Sequence, residues 1–133
     1  MGPQPDIPPR LCGYPRVRGR PSGLEVREAR GLRARLVGLA GLDALPPRLG
    51  LLLPATRSAH TLGMRFCVDL VWLDGTGRVV HIDRRVPPAR LRSCRRAAAL
   101  LELAGGQADE TGLEVDERLV ETGPHPRSPQ GRQ

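Results

Sequence analysis

Apolar positions along this chain fall into three nearly continuous runs and one spaced series. The runs are LGLLLP (Leu49–Pro54), VDLVWLD (Val68–Asp74) and AALLELA (Ala98–Ala104), each short, bounded by turn residues and rich in strand-compatible side chains. They predict strands. The series is Ala29, Leu32, Leu36 and Leu39, whose spacing of three and four predicts a helix from about Glu28 to Leu39 with one apolar stripe laid on a sheet. Arg30, Arg33 and Arg35 then form its solvated side, Gly38 or Gly41 can supply a left-handed cap, and Pro46-Pro47 stops continuation. Leu24–Val26 before it reads as a short strand. DGTGR after Leu73 predicts a tight turn, with positive-φ positions at Asp74-Gly75 and Gly77, and RVVHID (Arg78–Asp83) is the returning strand of the hairpin. Gly105-Gly106 turns the chain into a short helical segment ending near Gly112, and DERLV closes the sheet. Together these elements predict an α+β domain: a compact, mainly antiparallel β-sheet or barrel-like body with one main helix packed on it.

The two ends differ from this interior. Residues 1–22 and 122–133 are rich in Pro, Gly, Arg, Ser and Gln without periodicity, so they read as a disordered leader and tail around a folded unit at 23–121. A chain of 133 residues can bury a core as one domain without staples. Its aromatics are Tyr14, Phe66 and Trp72, which leaves the core to Leu, Val, Ala and Ile. No apolar run reaches membrane-spanning length and the N-terminus lacks the apolar core of a signal peptide, so the expectation is a cytoplasmic protein with no membrane contact. Cys12, Cys67 and Cys94 are an odd, scattered set that makes no disulfide framework and fits a reducing compartment.

The formal charge of +7 changes the picture less than its size suggests. All the basic residues are arginine, as G- and C-rich codon usage alone produces, and the acids from Glu102 to Glu121 oppose the Arg84–Arg96 block. That block lacks interleaved aromatics and any nucleic-acid fold motif, so a solvated arginine loop outweighs a nucleic-acid or phosphate binder.

Candidate chemistry gathers in SAHTLGMRFCVD (Ser58–Asp69). His60 and Asp69 are the residue types of an acid-base pair, and Cys67 beside His60 those of a nucleophile and its base. The competing reading is a scaffold in which His60 satisfies backbone groups at a strand end, Asp69 accepts from a turn or pairs with Arg65, Cys67 is a small buried strand residue and Met64 is core. His60, Met64, Cys67 and His81 fit no C-x-x-C, H-x-x-x-H or H-E-x-x-H spacing, so neither a metal nor another cofactor is expected.

The order RARLVGL, HTLGMRFCVDLVWLD, GRVV, LLEL with a glycine turn, and GLEVDERL resembles the DUF192 (UPF0127) family over about residues 24–120. The chain departs from the family pattern at Cys67, where proline is common, at Ala104-Gly105-Gly106, where Pro-Ala-Gly is usual, and at Val115-Asp116, where Gly-Asp is usual. The resemblance implies a compact β-rich fold with a packed helix and carries no activity. The functional expectation is a ligand-binding or accessory module whose surface is lined by His60, Thr61, Met64, Arg65 and Asp69, with a small molecule or a protein as partner. The alternatives are a small hydrolase or transferase using His60 and Asp69, and an anion binder using Arg84–Arg96.

Overall fold

The computed structural model describes residues 7–12, 24–29 and 41–119. A five-stranded mixed sheet runs in the order β1-β2-β7-β4-β5, from β1 (Glu25–Glu28), β2 (Leu49–Pro54), β4 (Val68–Leu73), β5 (Val79–Val86) and β7 (Ala99–Ala104). β3 (Ser58–His60) and β6 (Leu91–Ser93) pair separately as a two-stranded antiparallel ribbon. Two short helices are described, α1 (Pro9–Cys12) and α2 (Gln107–Glu110).

The three apolar runs are strands because both faces of the sheet are covered. Alternation along β4 sends Val68, Leu70 and Trp72 into one cluster with Leu49, Leu51, Leu53 and Leu100. Val71 and Leu73 go to the opposite face, with Leu101, Leu103, Ala108, Leu113 and Leu119. Leu11 is fully buried in the first cluster, with Ile7 packed against it. Residues 7–12 are therefore not a free leader: Ile7 and Leu11 give this Pro- and Arg-rich stretch enough apolar surface to dock.

The β4–β5 hairpin closes as expected, through Gly75, Thr76 and Gly77. Gly77 holds φ 85° and its N–H donates to the Asp74 carbonyl at 3.0 Å, the type I turn plus left-handed residue of a three-residue hairpin loop. Positive φ is thus needed at Gly77 and not at Gly75. The Thr76 hydroxyl, and after it the N–H groups of Arg78 and Thr76, hold the Asp74 carboxyl below its ordinary value by donating to it.

Several expectations are corrected. The sheets are open and do not close into a barrel. β1 and β2 run parallel, and β7 is inserted between β2 and β4, so consecutive strands are not joined throughout by hairpins. A parallel pair needs a crossover of about a dozen residues or more. Residues 29–48 make that connection, and the helix expected there lies, beyond Ala29, outside the described residues. Over its described residues, 116–119, DERLV adds no strand; it contributes one isolated bridge, Arg78 to Arg118. The tail at 122–133 also lies outside the described residues.

Candidate functional site

Asp69 lies near the start of β4, between β7 and β5, and is fully buried. Opposite it, the β4–β5 register shifts between Val68 and Leu70, and Arg85 takes φ 52°. This bulge removes the Arg85 N–H from the regular ladder, and the N–H donates to Asp69 Oδ1 at 2.8 Å instead. Gly106 N–H donates to both carboxylate oxygens at 3.1 Å, and Ala108 N–H donates to Oδ2 at 2.7 Å. One carboxylate thus ties the β5 bulge and the start of α2 to β4 through charge-assisted bonds, which are strong. Gly106 sits at φ 94°, a conformation glycine adopts without penalty.

Thr61 is a second buried anchor, at 1 % exposure. Its hydroxyl donates to the Pro87 carbonyl at 2.7 Å and accepts from the Arg90 N–H at 2.8 Å, while its carbonyl accepts from Ala89 N–H at 3.0 Å. These bonds clamp the Pro87–Arg90 loop that leads into β6. Thr61→Val keeps the shape and orphans the Arg90 N–H and the Pro87 carbonyl, so it should cost about 1–3 kcal/mol in urea denaturation. Parental stability in that variant would show that the loop holds without the clamp.

The other three expected site residues separate. Met64 is buried in the core, and Arg65 is exposed and ion-paired with Asp43. His60, exposed at the end of β3, accepts the Leu62 N–H at Nδ1 at 3.2 Å. No hydrogen bond joins His60 to Asp69: the Asp69 carboxylate is engaged by three backbone N–H groups, and the histidine belongs to the ribbon. His81 contacts Asp83 through Nε2 at 3.0 Å, and Asp83 also accepts the Trp72 indole N–H at 2.9 Å. Among the described residues, no three His, Cys, Asp or Glu side chains converge as a metal site.

Cys67 is exposed, which corrects the expectation of a small buried strand residue. It precedes β4, its carbonyl accepts the Gly105 N–H at 2.9 Å, and its Cβ lies 3.0 Å from where a side chain on Gly105 would begin. That contact leaves Cys67 lining a shallow groove with Leu45, Phe66, Arg85 and Ala104.

Two features were not foreseen. Glu102 on β7 is buried at 3 % exposure, and its Oε1 has no hydrogen-bond partner among the described residues. Burial pushes its carboxyl up to about 8, so it does not act as one of the surface acids opposing the arginine block. The second is the β3–β6 ribbon and its flanks, where Arg57, Arg90, Arg92, Arg95 and Arg96 stand without a carboxylate partner among the described residues. Arg90, Arg92 and Arg96 reach only backbone carbonyls. Arg84, by contrast, pairs with Asp109. The signal in the sequence was the absence of any acid from Arg84 to Leu101, or from Ala44 to Val68.

No helix among the described residues is long and apolar enough to cross a membrane. The fold is similar to that of a protein of unknown function from Novosphingobium aromaticivorans DSM 12444. Its TM-score is 0.71 at 18 % identity, over 86 % of this chain and 91 % of that one. A protein from Sinorhizobium meliloti 1021 described as a "putative transcription regulator" has a TM-score of 0.72 at 22 % identity, over 84 % of this chain and 97 % of that one. At these identities the likeness is one of fold. No curated protein matches the chain. A family model described as "Uncharacterized ACR" matches residues 15–120, and the chain belongs to that family, DUF192.

Proposed function

We propose that the protein is a non-catalytic binding module that takes an anionic ligand on the arginine-bearing side of the β3–β6 ribbon. The observation that carries this reading is the division of labour among the polar residues. Asp69 and Thr61 are consumed by the scaffold, whereas Arg57, Arg90, Arg92, Arg95 and Arg96 surround one short ribbon with no carboxylate among the described residues to neutralise them. Guanidinium groups left in this state attract anions and match the paired oxygens of phosphate or carboxylate. The expected surface formed by His60, Thr61, Met64, Arg65 and Asp69 gives way to this one, because Thr61, Met64 and Asp69 are buried.

Tripolyphosphate tests the reading. At low salt it should raise the unfolding midpoint of the parent chain, and the rise should disappear when Arg57, Arg92, Arg95 and Arg96 are changed together to Gln. A rise that survives the four changes would place the anion elsewhere.

A nucleic-acid partner is the second reading. It is favoured by the shape of an arginine-flanked two-stranded ribbon, which a duplex major groove admits, and by the name of the Sinorhizobium meliloti neighbour. Such binding should weaken steeply, by tenfold or more, between about 50 and about 200 mM salt. An affinity that is flat over that range would remove it.

A further inference from the structure

The arginines of the ribbon are not equivalent, and the difference locates a specific subsite. Arg90, Arg92 and Arg96 already donate to the carbonyls of Ala89, Leu91 and Val80. The guanidinium groups of Arg57 and Arg95 have no acceptor among the described residues, and neither have the hydroxyls of Ser58 and Ser93. These four residues line one groove of about 450 Å³ at the end of the ribbon, together with Cys94, and no carboxylate is among its described lining.

The register explains how the hydroxyls come together. Cys94 N–H donates to the Arg57 carbonyl at 2.8 Å, and Thr61 N–H to the Arg90 carbonyl at 2.8 Å. Hydrogen-bonded positions therefore alternate, and the directly opposed pair Ser58–Ser93 falls on a non-hydrogen-bonded position. There the Cα atoms approach to about 4.5 Å and the side chains lie side by side on one face. Arg57 leaves the ribbon on the other face by the same alternation, but both it and Arg95 border the groove at the ribbon's end, so two adjacent hydroxyls and two guanidinium forks share one rim. Each fork can engage two oxygens of a tetrahedral oxyanion and each hydroxyl one more.

We infer that the groove formed by Arg57, Ser58, Ser93 and Arg95 is a phosphoryl-binding subsite that holds the terminal phosphate of a small ligand. The inference rests on the anion-binding reading above and narrows it to one site and one chemical class. Other arginines of the ribbon then supply general attraction, and these four residues supply the fit.

The test is a titration of the isotope-labelled full chain with inorganic phosphate at constant ionic strength, followed through backbone amide shifts. The amides of Ser58, Ser93 and Arg95 should move saturably. Arg57→Gln with Arg95→Gln should weaken binding by about tenfold or more, as loss of both charge-assisted forks requires. Arg84→Gln, which breaks only the surface pair with Asp109, should change it less than about twofold. Arg57→Lys with Arg95→Lys keeps the charge and removes the forks, so weakened binding in that variant supports the inference even if the Gln variant fails to fold. Saturable binding that moves other amides and ignores the double variant would overturn this subsite and leave the anion reading intact. No saturable response to phosphate or to tripolyphosphate would overturn both. A nucleoside monophosphate should move the same amides as inorganic phosphate, and a dinucleotide with only an internal phosphodiester should not. The reverse pattern would overturn the assignment to a terminal phosphate.

Discussion

Asp69→Ala should destabilise the protein by about 3–5 kcal/mol, a large share of the 5–15 kcal/mol total of an ordinary domain. The carboxylate accepts from Arg85, Gly106 and Ala108 N–H groups, and its removal strands the buried Gly106 and Ala108 groups and releases the half-buried Arg85 N–H. The loss is concentrated where β5 bulges and where β7 turns into α2, so hydrogen exchange should quicken first at Arg85 and at residues 106–110. Asp69→Asn should fall between the parent and the alanine variant, because the amide keeps one acceptor oxygen and turns an NH2 donor, in place of the second oxygen, towards the backbone donors. Equilibrium denaturation of the three chains measures the series. Stability in Asp69→Ala equal to the parent's would mean that these N–H groups find other partners.

The second large effect has the opposite sign. Glu102 lies between Leu51 and Leu70 in the sheet, on the face of the larger apolar cluster. Burial raises its folded-state pKa from 4.5 to about 8, so the folded protein favours the neutral acid while the unfolded chain favours the carboxylate. Below the unfolded pKa both states carry the proton and the group costs little. As pH rises from about 4.5 the unfolded state ionises first, stability falls, and the fall levels off near pH 8, where the folded group ionises too. At pH 7 the penalty is about 3 kcal/mol. Glu102→Leu, close in volume, should therefore stabilise the protein at pH 7 by up to about that amount, with a smaller gain at pH 4. It should also flatten the decline of stability between those pH values. Chemical denaturation of both chains at pH 4, 6 and 8 reads the difference directly. A variant less stable than the parent at pH 8 would show that the carboxylate is compensated within the fold.

The runs LGLLLP, VDLVWL and ALLELA were legible because burial on both faces leaves a nearly continuous apolar pattern, and the DGTGR hairpin because its turn chemistry is local. Strand order was not legible. Nothing in the spacing of apolar residues shows that β1 and β2 run parallel or that β7 enters between β2 and β4, since those choices are made by packing between distant segments. β3 and β6 escaped notice for a different reason: SAH and LRS carry almost no apolar signal and are held by Thr61 and by backbone bonds at their ends.

The polar residues misled in an instructive way. Asp69 and Glu102 each interrupt an apolar run, a position that marks a buried carboxyl and not a surface charge. Only the fold shows that the first meets three N–H groups while one oxygen of the second meets none among the described residues. Cys67 read as a strand residue because the apolar run begins beside it; one residue outside β4, it stays exposed. The scaffold reading of the central segment anticipated a His60 bond to backbone at a strand end and an Asp69 carboxylate accepting from turns. It missed that the acid-free arginine stretches on either side meet across the ribbon.

Thermal unfolding of three chains, with and without tripolyphosphate at low salt, separates scaffold from surface most directly: the parent, Asp69→Asn, and the chain with Arg57, Arg92, Arg95 and Arg96 changed to Gln. Asp69→Asn should lower the midpoint by several degrees and keep the anion-induced rise. The arginine variant should melt with the parent when no anion is present and show no rise when it is. An Asp69→Asn midpoint equal to the parent's, or an arginine variant that still gains the parent's rise, would contradict that division between scaffold and surface.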